Sequence, residues 1–322
     1  MQKQRDISID ILKFIAALVI TNSHMELLYG KYSALATGGA IGDVLFFFAS
    51  GFTLFLGRMG RLDNWYKRRI NRIYPTVFAW AALSALCFNL HHDMVYTLIH
   101  GGGWFVTCIM IYYVILYLIR WLMLDKLKWA FALTGIIVTA WYFIMNPPFG
   151  FNIYGNTYFK WGHYFLFMLL GASLGICNKE NWKFSFAKDG LKFIGCTIIY
   201  YGMLAVARKI EALQHLELLS LVPLLGITFY LYKLCNTETM KKLYYNRYTG
   251  ILIKFVGGLC LEIYLVQYAL FTDKMNHLFP LNLLIMLVII IAAAYVLRCM
   301  ARIFAQTFKA EDYNWREVFK PY

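Results

Sequence analysis

Of 322 residues, 61% are hydrophobic and only 15% charged, which excludes an ordinary soluble globular domain, where about half the residues are apolar and about a quarter charged. The formal charge of +14 comes from Lys and Arg dealt out between apolar stretches rather than gathered on one module, so it points to membrane topology and away from nucleic acid. The seven cysteines, Cys87, Cys108, Cys177, Cys196, Cys235, Cys260 and Cys299, lie in or beside apolar stretches without close pairs, and neither a disulfide framework nor a zinc site is expected.

Apolar stretches near 8–30, 36–57, 73–90, 103–123, 129–146, 158–177, 190–207, 216–235, 251–272 and 280–304 predict about ten transmembrane helices. Lipid offers no partner to backbone polar groups, and no stretch alternates as a membrane barrel would. The expected fold class is therefore all-α, a polytopic integral membrane bundle, with one membrane domain over residues 1–322 and a cytoplasmic tail from about residue 305.

The N-terminus has a basic start, an apolar run and an Ala34-Leu35-Ala36 triplet, the outline of a signal peptide. Asp10 and Lys13 interrupt the apolar region and the triplet comes late, so a retained first helix is the reading adopted. With the N-terminus in the cytoplasm, Lys3, Arg5, the run Arg58 to Arg72, Arg120 to Lys128, Lys179 to Lys192, Lys233 to Lys254 and Arg298 to Lys320 share one side. Of the 31 Lys and Arg, only Lys31, Lys160, Arg208, Lys209 and Lys274 fall in the opposite loops, and Lys13 lies within the first span. The positive-inside rule then predicts a multi-pass protein with both termini cytoplasmic. His24, His91, His92, His100, His163, His215 and His277 all fall in outer loops or the outer halves of spans, which gathers groups that exchange protons near neutral pH on that side.

The first span carries Asp10, Lys13 and His24, and ionisable residues inside a membrane face a cavity or a partner. Lys13 and His24 are eleven residues apart, hence on one helix face and about 16 Å apart along the axis, with Asp10 one turn before Lys13. The functional reading is a channel in which Lys13 helps to bind an anionic ligand from the cytoplasm and His24 acts as a base further out. The competing reading makes Asp10 and Lys13 an interfacial ion pair and His24 an interfacial residue.

In the second span, Phe46-Phe47-Phe48-Ala49-Ser50-Gly51-Phe52 places two small residues where backbones can approach; packing and function are both open for Ser50. Beyond it, Lys67, Arg68, Arg69 and Arg72 form a basic cluster, with Arg69 and Arg72 one turn apart so that both can face one anion. In the outer loop His91, His92, Asp93 and His100 match no standard metal spacing, and no metal site is expected. Gly101-Gly102-Gly103 reads as a flexible lead into the fourth span, which opens on Trp104. In the ninth span Glu262 and Tyr264 lie deep in apolar sequence, and the carboxylate needs a partner, for which Lys13 and Arg72 are candidates.

Lys13-x10-His24 within Ile9-Asp10-Ile11-Leu12-Lys13, the Phe-Phe…Ser50-Gly51-Phe52 element, Arg69-Ile-Asn-Arg72-Ile-Tyr-Pro75, Trp104-Phe105 and Ile263-Tyr264-Leu265 occur in an order that resembles the acyltransferase-3 family of bacterial membrane O-acyltransferases. The resemblance runs from about residue 5 to residue 272. It departs from the family at Cys260-Leu261-Glu262, where Ser-Tyr is common, at Gln267, where a His often follows, and at Asp43, where an apolar residue is expected.

The resemblance implies an O-acetyltransferase of a bacterial inner membrane with acetyl-CoA or another acyl-CoA as co-substrate, no permanently bound cofactor, and a hydroxyl of an envelope glycan or its lipid-linked sugar precursor as acceptor. His24 would be the general base with Lys13 and Asp10 beside it; Arg69, Arg72, Ser50 and Trp104 would bind the donor, with Glu262 and Tyr264 as further pore residues. Direct transfer and an acyl-histidine intermediate are both open. The alternative from another class is a transporter or flippase of an envelope sugar precursor with His24 as proton relay. Its expected marks, paired half-helices with matching Gly or Pro breaks in two repeats, are not found in the sequence.

Overall fold

A computed structural model describes residues 6–57, 59–177 and 184–322. Lys3, Arg5, Arg58, Lys179 and Lys183, which enter the topology argument, lie outside the described residues. In chain order the helices are α1 (Ile7–His24), α2 (Glu26–Tyr29), α3 (Gly39–Leu56), α4 (Leu62–Phe88), α5 (Met94–His100), α6 (Gly103–Met123), α7 (Leu127–Met145) and α8 (Phe159–Ile176). They continue as α9 (Lys188–Ala207), α10 (Leu216–Leu219), α11 (Leu221–Cys235), α12 (Glu238–Tyr245), α13 (Arg247–Gly258), α14 (Cys260–Leu270), α15 (Leu281–Thr307) and α16 (Trp315–Val318). Among the described residues there is no strand, as lipid requires of a chain this apolar.

The expected count of about ten crossings is not confirmed. Among the described residues six helical stretches are long and apolar enough to cross a membrane, or seven if α13 and α14, bent by 73° at their junction, count as one span. The difference has physical causes. The basic run Lys67 to Arg72, expected to lie ahead of the third span, is itself helical in α4, so charge dilutes that helix. The 18 residues of α8 include Lys160 and His163. The fourth and fifth expected spans join through a 3-10 turn at Leu124–Lys126 into one stretch, Gly103–Met145.

Two compact units are distinguished. The first takes its described residues from Met1–Ala16, Ala40–Arg58 and Leu118–Gly250. In it α8 packs on α7 and α11, and α9 on α11, with Lys233 and Asp189 joined by a 2.7 Å ion pair between the last two. The end of α3 leaves carbonyls without intrahelical donors; Arg120 donates to the carbonyls of Leu54 at 2.7 Å and Gly57 at 2.8 Å, placing its charge on the negative end of the helix dipole.

The tightest contact in this unit is backbone on backbone. A Cβ at Gly51 of α3 would overlap the carbonyl of Met168 in α8, and one at Gly171 would overlap the carbonyl of Phe48. Gly51→Ala must therefore push the helices apart, and a loss of about 1–3 kcal/mol is expected from overpacking of this kind. The check is a lowered thermal midpoint in detergent; an unchanged midpoint would mean that the pair does not hold the unit together.

The second unit comprises Ala17–Gly39, Met59–Tyr117 and Ile251–Tyr322. Here α15 packs along α4 and α14, and α14 also meets α4. The break between α13 and α14 frees main-chain groups, and Arg298 of α15 donates to the Gly258 carbonyl there and, through Nε at 3.0 Å and Nη2 at 2.8 Å, to the Glu262 carboxylate. The chain after α15 folds back on it: Tyr295 donates to the Phe319 carbonyl at 2.7 Å and Arg302 to that of Val318 at 3.1 Å.

Candidate functional site

Most of the predicted site residues fall in the second unit. His24 closes α1 and is half-buried, while Tyr268 of α14 is 58% exposed. The Tyr268 hydroxyl oxygen stands 2.9 Å from each imidazole nitrogen and can pair with one nitrogen at a time. The ring centroids are 4.7 Å apart. An imidazole exchanges protons near neutral pH, which is what a general base needs.

Arg69 is built differently from Arg72. Its guanidinium lies 4.7 Å from the centre of the Trp65 ring and 5.7 Å from that of Tyr113. Trp65 is fully buried and its indole donates to the Tyr113 carbonyl at 3.1 Å, so the platform under Arg69 is itself fixed. Arg72, one turn on, is exposed. A stacked guanidinium keeps its planar fork of donors oriented for phosphate oxygens, whereas an exposed one contributes charge.

Trp104 is half-buried at the start of α6, edge-on to Phe105, which in turn lies 5.9 Å from Tyr264. Gly103 has φ +65°, and a Cβ there would come within 2.6 Å of the Tyr264 hydroxyl. Within the glycine run expected to be a flexible lead, Gly103 is thus a seat for Tyr264. Glu262 is buried, and its partner is Arg298 rather than Lys13 or Arg72. Of the loop histidines, His92 stacks 4.2 Å from Tyr96 and His100 lies 5.3 Å from it, while His91 pairs with Asn89 at 2.9 Å; Asp93 caps α5 by accepting from the Tyr96 N–H at 2.6 Å.

In the first unit, Asp10 is buried and accepts from the Tyr244 hydroxyl at 2.8 Å; Lys13 lies a turn further along α1, half-buried. Ser50 is half-buried on α3, and its carbonyl accepts from Thr53 at 3.1 Å. The close approach expected of the small pair in the second span is made by Gly51.

Sequence reasoning did not find Tyr268, Trp65, Tyr113, Tyr244 or Arg298. One signal was present: Tyr268 follows Tyr264 by four residues, which stacks the two along one stripe of α14. The other partners lie far along the chain and carry no local mark.

A family model described as an acyltransferase domain, that of the acyltransferase-3 family, matches residues 6–299. No curated protein and no solved structure matches the chain.

Proposed function

This chain belongs to the acyltransferase-3 family, and on that premise we propose that it moves an acetyl group from cytoplasmic acetyl-CoA to a hydroxyl of a cell-envelope glycan or its lipid-linked sugar precursor. The family match together with the His24–Tyr268 pair carries this reading. The protein works in a bacterial inner membrane with both termini in the cytoplasm, an orientation supported by the distribution of Lys and Arg.

Arg69, backed by Trp65, and Arg72 hold phosphates of the donor. In the first unit Lys13 offers positive charge to an anionic ligand from the cytoplasm, Asp10 is fixed by Tyr244 and Ser50 is a further donor-binding residue; in the second unit Trp104 has that role. His24 takes the proton of the acceptor hydroxyl as its oxygen attacks the thioester carbonyl. The C–S bond breaks, and the proton passes from the imidazolium to the departing thiolate. Tyr268 is a positioning residue that fixes the ring.

Purified protein in nanodiscs, given acetyl-CoA and a panel of envelope sugars, is expected to release CoA only when an acceptor is present. Sugar movement without CoA release would overturn the proposal in favour of a transporter. For the donor site, Arg69→Ala is expected to raise KM for acetyl-CoA about tenfold or more, and Arg69→Lys to recover only part of the loss because it restores the charge without the fork or the stacking. Equal KM values in wild type and Arg69→Ala would remove Arg69 from the donor site.

A further inference from the structure

The first unit holds a buried polar cluster that the mechanism above does not use. It gathers Asp43 near the start of α3, Tyr154 in the loop before α8, His163 and Tyr164 early in α8, and Glu217 and Ser220 just ahead of α11. Its internal bonds fix most of the hydrogens. Ser220 donates to the Glu217 carbonyl at 2.5 Å, so in its 2.7 Å contact with Tyr154 the tyrosine must donate. Tyr164 donates to Asp43 at 3.3 Å. His163 Nε2 lies 2.9 Å from the Ile153 carbonyl, which can only accept, so Nε2 carries the hydrogen. In the neutral ring Nδ1 is then an acceptor.

Two atoms are left over. His163 Nδ1 and Glu217 Oε1 are buried and have no hydrogen-bond partner among the described residues; the residues are 0% and 3% exposed. Unmet buried polar atoms are costly, and each such atom calls for an explanation. Both are acceptors, so what completes each of them must donate a hydrogen. Lys160, buried at the same helix end, acts electrostatically on both Asp43 and His163, which disfavours a cation and leaves a neutral hydroxyl-rich molecule. The rings of Tyr154 and Tyr164 stand 5.3 Å and 4.4 Å from His163, and Tyr200 stands 5.8 Å from Tyr154. Tyr154, the half-buried one of these rings, can offer an apolar face to the C–H side of a sugar beside its polar tip. Burial pushes the Tyr154 phenol up from its ordinary value and keeps it a donor.

We infer that this cluster is a saccharide-binding subsite that holds one sugar unit of the acceptor through hydroxyls donated to His163 and Glu217. The inference rests on the acyltransferase reading for the identity of the ligand. In the orientation proposed above, this end of the unit faces outward, where an envelope glycan is found.

The test is saturation-transfer NMR on the full chain in nanodiscs with the methyl glycosides of glucose, galactose and N-acetylglucosamine, followed by steady-state kinetics. At least one glycoside is expected to bind wild type, and Glu217→Gln and His163→Asn are each expected to weaken it about tenfold or more. The acceptor KM should rise in step while the acetyl-CoA KM stays constant. Should either variant fail to fold, Tyr154→Phe keeps the ring, removes a hydroxyl and is expected to weaken binding about threefold. Absence of binding to wild type, or equal binding by wild type and variants, overturns the inference and assigns the two acceptors to an internal water. Loss of CoA release with glycoside binding intact would instead count against the acyltransferase reading alone.

Discussion

His24→Ala is expected to abolish acceptor-dependent CoA release, with a fall of about 10²- to 10⁴-fold, the range general-base catalysis contributes. Tyr268, which meets His24 at 2.9 Å, cannot take over that chemistry, because tyrosine as a residue type is no base near neutral pH. Tyr268→Phe leaves the imidazole but removes the hydroxyl 2.9 Å from it, so a smaller loss, about tenfold, is expected from the freed ring. The measurement is single-turnover CoA release in nanodiscs, with thermal midpoints taken on the same samples to establish folding. A folded His24→Ala protein that turns over at the wild-type rate would remove His24 from the chemistry. A Tyr268→Phe protein as impaired as His24→Ala would make the tyrosine part of the reaction itself.

Arg298→Ala is expected to cost about 3–5 kcal/mol of stability, the usual result of stripping one partner from a buried ion pair. The Glu262 side chain is 5% exposed and that of Arg298 16%, so neither charge can turn to water when the other is lost. The same substitution strands the Gly258 carbonyl at the 73° bend. Glu262→Gln should be milder, because the amide keeps the shape and Arg298 keeps Gly258. Replacing both partners by Leu should recover much of the loss, since a well-packed apolar pair avoids the desolvation of two charges. Melting followed by tryptophan fluorescence in detergent tests all three; a wild-type midpoint for Arg298→Ala would show that the bend is held by packing alone.

Much of the fold was legible because membrane helices announce themselves by composition. The stretches predicted near 103–123, 190–207 and 280–304 became α6, α9 and α15 with small shifts at their ends. Prediction failed where charge and helix coincide: the basic residues Lys67 to Arg72 look like a loop but wind into α4. At the site, residue type was informative and partnership was not. His24 and Arg69 stand out because ionisable groups are rare in this sequence, yet Tyr268 lies 244 residues from His24, and no pattern of period 3.6 can reach across that interval. Glu262 makes the same point, since the need for a cation was readable and its identity as Arg298 was set by how α14 and α15 pack. The one-turn spacing of Arg69 and Arg72 predicted equivalent roles, but the Trp65 ring under Arg69 makes them unequal.

The glycine contact between α3 and α8 bears on recognition as well as on stability. Asp43 precedes Gly51 by two turns, and His163 precedes Gly171 by the same interval. Because main chain touches main chain, neither helix can slide past the other without a clash, and the groups two turns away inherit that register. A saccharide arriving there meets Asp43 and His163, whose spacing is already set, so little ordering entropy is lost on binding. Such a rigid seat should discriminate sharply between sugar epimers, which differ in the direction of a single hydroxyl.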